Sequence, residues 1–161
     1  MYKLYIFDKK LRLLLLDIIE RLEINIRTII AHEIAKQFNI DENTLRNWLN
    51  EINIIRNLSA HHSRVWNKSF TDIAIPDFSN PNLSKFKKAN AYFSKVALEQ
   101  KARSRIFGRI AVLWYLVSQT SKNYHWLDKF GELLKDFPDV PNAKIELMGI
   151  SDSNLALIYN S

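Results

Sequence analysis

An all-α fold is predicted by three observations. Apolar residues make up 47% of the 161-residue chain, enough for one domain with its own core. Glycine occurs only 3 times and proline 4 times, and all-β folds spend turn residues faster than that. The apolar residues also recur at helical spacing.

Leu11, Leu15, Ile18, Leu22, Ile26 and Ile29 are separated by steps of three and four, which is one face of a long helix from about Asp8 to Phe38. Asp8 is expected at its N-cap, and Glu23 is placed to pair with Arg27 on the wet side. A second helix follows a polar break, with Asp41 or Asn43 as its cap. It turns Leu45, Trp48, Leu49, Ile52, Ile55 and Leu58 inward and ends near 60–63. The stretch from Arg64 to about Ser84 holds Pro76 and Pro81 and reads as a long loop, a kind of segment that is often functional or mobile. Helical pattern resumes between Leu83 and Ser104. It is clearest over Ser104–Gln119, where Ile106, Ile110, Leu113, Trp114 and Val117 line up. A shorter helix spans about His125 to Lys135, and a turn with a short helix closes the chain. Trp48, Trp114, Tyr115 and Trp126 are expected in the core. The expected architecture is a single domain over residues 1–161, a bundle of four to five helices with one long excursion after the second.

Several function classes lack their parts. There is no cysteine, hence no disulfide, thiolate metal site or cysteine nucleophile. Of the four histidines (His32, His61, His62 and His125), no two flank a Glu one turn apart as a zincin requires. A glycine-rich phosphate loop and a nucleophile elbow are also missing, so no cofactor or metal is expected. The N-terminus meets charge too early for a signal peptide, and no stretch approaches the roughly 20 apolar residues of a membrane span. A soluble, cytoplasmic protein with no membrane partner is expected.

The net charge is +6, and its distribution is uneven. Lys85, Lys87, Lys88, Lys95, Lys101, Arg103, Arg105 and Arg109 face one acid, Glu99, within 26 residues. Clustered cations of this kind suit a polyanion such as RNA, although a solvated helix face also explains a charge run.

The chemistry-bearing stretch is RNLSAHHSRVWN, Arg56 to Asn67. Asn57 and His61 lie four apart, so the amide can hold the imidazole in one orientation on a helix. Arg56 and His61 are five apart, roughly 140° around an ideal helix. They converge if the helix ends near Ala60 or if two copies face each other. Arg64, one turn beyond, adds a second phosphate binder. Arginine with histidine is what metal-free RNA cleavage needs: a base for the 2′-OH, a cation for the phosphate and an acid for the leaving oxygen. One chain offers one such His, so the chemistry points to a two-fold dimer. Spacing alone equally fits histidines that cap a helix while Arg56 pairs with an acid such as Glu51. Trp66 could stack on a base or plug the end of the bundle, and the plug is the commoner role.

The stretch resembles the Arg-Asn-x-x-Ala-His-His-x-Arg-x-Trp-Asn signature of Abi-like (abortive infection) proteins, whose Arg-x-x-x-x-His core is the HEPN ribonuclease motif. YIFDKKLRLLLLDIIERLEINIRTIIAHEIA is similar to that family's Phe-Asp-x-x-Leu-Arg helix with its Ile-Glu-x-x-x-Arg end. GRIAVLWYLV and FPDVPNAKIELMG are similar to its later helix and Met-Gly tail. The resemblance implies a HEPN-like helical bundle acting as a dimeric, metal-independent endoribonuclease in phage defence or a toxin–antitoxin pair. Arg56 and His61 are then catalytic, with Asn57 as the motif's polar residue. Glu23 or Glu20 would be a supporting acid, and His62 and Arg64 would be accessory. RNA contact would fall to Lys85, Lys87, Lys88, Lys101, Arg103, Arg105 and Arg109. Expected partners are RNA, a second copy and an RNA or protein antitoxin. The family's usual N-terminal helical region is expected to be missing here. The alternative is a non-catalytic RNA- or protein-binding helical module.

Overall fold

The computed structural model describes residues 2–28, 37–75, 86–120 and 125–159. Its α-helices are α1 (Tyr2–Thr28), α2 (Glu42–Ala60), α3 (Lys87–Val96), α4 (Gln100–Arg103), α5 (Ile106–Thr120), α6 (His125–Lys135) and α7 (Asp152–Tyr159), with a 3-10 turn at Ile145–Met148. The fold is all-α, with seven helices among the described residues rather than four or five. The stretch between Leu83 and Ser104, which has helical pattern without clear bounds, holds two short helices, α3 and α4, and the turn and short helix expected in the tail are the 3-10 turn and α7.

The helix α5 is the axis of the bundle. Ile106 to Leu113 are all buried, charged Arg109 included, as are Tyr115 and Leu116. A helix buried all round belongs at the centre of a domain. Contacts radiate from it to α1, α2, α3 and α4, while α6 bridges α1 and α7. The expected stripe is present, but burial extends well beyond it. Trp48, Tyr115 and Trp126 are core residues, whereas Trp114 is only partly buried, edge-on to Tyr92 with centroids 5.4 Å apart.

The first helix buries Leu11, Leu15, Ile18 and Leu22 as its spacing requires. It does not begin at Asp8. Helix starts at Tyr2, and Asp8 is a buried residue inside α1 rather than its cap. The expected helical continuation over 29–36 and the pairing of Glu23 with Arg27 lie outside the described residues, as do His32, Lys85 and the loop from Pro76 onward. In α2 the cap is Asp41, whose side chain accepts from Thr44 N at 2.9 Å and from Thr44 Oγ1 at 2.6 Å. Burial raises the Asp41 carboxyl, but these bonds outweigh it and leave its pKa below the ordinary value.

The described part of the long loop, 64–75, is tied down. Phe70 N donates to Ser104 O at 2.9 Å and Ile73 N to Arg103 O at 3.1 Å. Trp48 Nε1 donates to Ala74 O at 2.6 Å, and Ala74 N donates to Asn47 Oδ1 at 3.0 Å. Two glycines pack against the same short segment that anchors the loop. A Cβ at Gly108 would meet Ala102 O at 2.7 Å, and one at Gly149 would meet Ala102 Cα at 2.9 Å. Gly149 also has φ 85°, in the left-handed region that glycine tolerates. The later-helix and Met-Gly stretches therefore converge on one short helix, α4.

Candidate functional site

Two buried ion pairs hold the elements that carry the signature. In the first, Asp8 Oδ2 lies 3.2 Å from Arg12 Nε, one turn along α1. The other oxygen, Asp8 Oδ1, accepts from Val65 N at 3.0 Å and Trp66 N at 3.4 Å. The Phe-Asp-x-x-Leu-Arg stretch thus grips the Arg-x-Trp-Asn stretch through its carboxylate. Phe7 contributes apolar support: its ring meets Phe137 edge-on at 4.8 Å, and Phe137 meets Trp66 at 5.8 Å. Trp66 is buried in this cluster. An Asp and an Arg four apart, embedded among Phe7, Leu11 and Leu15, were the sequence signal for this clamp.

The second pair removes a residue from the expected RNA surface. Arg109 is 0% exposed. Its Nε donates to Glu51 Oε2 at 3.0 Å, its Nη2 donates to Glu51 Oε2 and Thr71 O, and its Nη1 donates to Arg103 O. Thr71 Oγ1 donates to the other Glu51 oxygen at 3.0 Å, and Phe70 stacks 4.5 Å from the guanidinium. Position 109 lies one turn from both Ile106 and Leu113, which marks it as inward. Its charge is satisfied inside the fold, and Arg109 is not a surface cation.

The remaining basic residues divide by type. Lys87, Lys88, Lys95 and Lys101 are exposed. Arg103 and Arg105 are half-buried, giving Nε to Leu98 O at 3.3 Å and Nη1 to Asn67 O at 2.9 Å. A guanidinium spreads its donors over a planar fork, so it can bind backbone and still present charge.

Because Glu51 is committed to Arg109, it is not the partner of Arg56. Arg56 Nε instead lies 3.0 Å from Glu23 Oε1 across α1 and α2, with the two side chains 45% and 37% exposed. The helix α2 stops at Ala60, and His61 is its C-cap. His62 N donates to Ser59 O at 3.2 Å and Ser63 N to Leu58 O at 2.9 Å, a Schellman closure that puts His62 at φ 56°, where glycine is usual. The helix end thus falls between Arg56 and His61, and both histidines are exposed. Asn57 is joined to His61 through the backbone: His61 N donates to Asn57 O at 3.0 Å. Among the described residues, no side-chain hydrogen bond links the Asn57 amide to the imidazole. Glu20 is exposed on α1.

A cleft of about 850 Å³ opens beside the signature, walled by Asp8, Arg12, His62, Arg64, Trp66 and Asn67 and closed opposite by 140–143. Arg56, Asn57 and His61 are not among its lining residues. The signature therefore faces two environments, with the Arg56–His61 end of α2 on one side and the cleft on the other.

The family model for Abi-like protein matches residues 1–35 and 30–67. This supports the Abi-like family. The matched stretches carry Asp8, Arg12, Glu23, Arg56, His61 and Asn67, so both contacts that α1 makes with the signature lie inside them. The later-helix and Met-Gly stretches lie beyond the match. Searches of curated proteins and of solved structures found no match. Among the described residues, no helix is long and apolar enough to cross a membrane.

Proposed function

We propose that the chain is a metal-independent endoribonuclease of an abortive-infection or toxin–antitoxin system, acting in a HEPN-type site shared by two copies. The observation that carries this reading is the Glu23–Arg56 pair, five residues before the exposed C-cap His61. Glu23 holds Nε of Arg56, while the two Nη groups have no other partner among the described residues. That is the pair of donors a bidentate grip on phosphate uses. His61, exposed at the helix end, takes the proton from a ribose 2′-OH. The freed oxygen attacks phosphorus, and Arg56 offsets the charge that builds on the phosphate oxygens. The P–O5′ bond then breaks, and His61 of a second copy supplies the proton to O5′. The products are a 2′,3′-cyclic phosphate and a 5′-hydroxyl. Glu23 acts here as a positioning residue. The family match supports the abortive-infection setting, and an antitoxin, RNA or protein, would hold the activity in check.

Total RNA incubated with the protein in EDTA should be cleaved, and Arg56→Ala and His61→Ala should each slow cleavage by about a hundredfold or more. Cleavage that persists in both variants would end this reading. The second reading, a non-catalytic RNA-binding module, is favoured by the exposed Lys87, Lys88, Lys95 and Lys101. It requires salt-sensitive RNA binding that His61→Ala leaves unchanged.

A further inference from the structure

The cleft beside Asp8 is built differently from the Arg56–His61 surface, and its chemistry is that of an anion site. Asp8, its single lining acid among the described residues, is committed to Arg12 and to the Val65 and Trp66 amides. Against it stand Arg12, Arg64 and His62. Arg12 is 3% exposed, and its Nη1 is buried with no hydrogen-bond partner among the described residues. An unpaired donor on a buried charged group is costly, and a fixed cation in a low-dielectric wall acts strongly on an anion nearby. Arg64 and His62 are exposed and supply direct contacts, with His62 held at the rim by its left-handed backbone.

The rest of the lining suits a nucleoside. Tyr2 and Tyr5 are exposed aromatic residues of the lining, which also includes Asn67 and Asn142. Aromatic faces stack on any base, and amides pair with base edges. A volume of about 850 Å³ falls within the range of small-ligand sites.

We propose that this cleft binds the terminal phosphate of a nucleotide, with the base on Tyr2 or Tyr5. A free nucleoside 5′-monophosphate and the 5′-phosphorylated end of an RNA strand share that chemistry. The site is separate from Arg56 and His61 and does not depend on cleavage.

The test is calorimetric titration of the full chain with AMP, adenosine, and 5′-phosphoryl and 5′-hydroxyl forms of an uncleavable 2′-O-methyl pentaadenylate. AMP should bind about tenfold or more tighter than adenosine, and Arg64→Ala should weaken AMP by about tenfold. Arg64 is exposed, so its loss leaves the fold intact. A phosphorylated oligomer that binds tighter than AMP assigns the site to RNA ends, and the reverse assigns it to free nucleotide. His61→Ala should leave all of these affinities unchanged, so an inactive enzyme that still binds AMP separates this proposal from the cleavage reading. Equal binding of AMP and adenosine, indifference to Arg64→Ala, or no binding of AMP or the phosphorylated oligomer would overturn it.

Discussion

Asp8 and Val65, 57 residues apart, are joined by a 3.0 Å hydrogen bond from the Val65 amide to the Asp8 carboxylate. The same carboxylate neutralises Arg12. Removing it strands a buried cation and frees two backbone donors. Asp8→Ala should therefore lose about 3–5 kcal/mol of stability, read from urea unfolding. Asp8→Asn keeps an acceptor for the amides and should lose less. Equal losses would mean that the charge on Asp8 contributes nothing.

The Glu23–Arg56 pair is half-exposed, so its worth to the fold is small, about 0.2–1 kcal/mol. Its worth to cleavage should be larger, because it sets where the Arg56 fork points. Glu23→Gln should leave the thermal midpoint nearly unchanged while slowing RNA cleavage by about tenfold. A variant with full activity would remove Glu23 from the site.

Arg109 and Lys101 sit eight residues apart in one basic stretch and should behave oppositely. Arg109→Ala leaves Glu51 as an unpaired buried charge, at a cost of about 3–5 kcal/mol. Lys101→Ala should alter stability by less than about 0.5 kcal/mol and instead weaken RNA binding and reduce its salt dependence. Denaturation and filter binding on the same two proteins decide the matter.

Asp41 caps α2, and Asp41→Ala should lose about 1 kcal/mol. The carboxyl titrates below its ordinary 3.8 in the folded chain. Its contribution is therefore fully present above that value and is lost as pH falls through the lowered, folded-state pKa. The stability gap between the wild type and Asp41→Ala should be constant near neutrality and shrink below about pH 4.

Periodicity was enough to read the inward faces of α1 and α2, because Leu11, Leu15, Trp48 and Ile55 recur at the spacing a helix imposes. The charged residues were harder to place. Asp8 looks like a cap when only the helix start is considered, yet its partners are Arg12 one turn on and two amides on a distant loop. Arg109 reads as part of a basic run, and only its register with Ile106 and Leu113 marks it as buried. The acid that meets Arg56 depends on how α1 crosses α2, which no local pattern encodes. The short α3 and α4 exist through packing against α5, so their bounds have little local signature.

The left-handed residue that closes α2 sets the fate of the two adjacent imidazoles. His61 is the C-cap of the helix that carries Arg56, while His62, with its left-handed backbone, lines the neighbouring cleft. On the two proposals made above, neighbours in the chain serve separate tasks. Neither is then a spare for the other, and His62 should not restore cleavage to a His61→Ala variant.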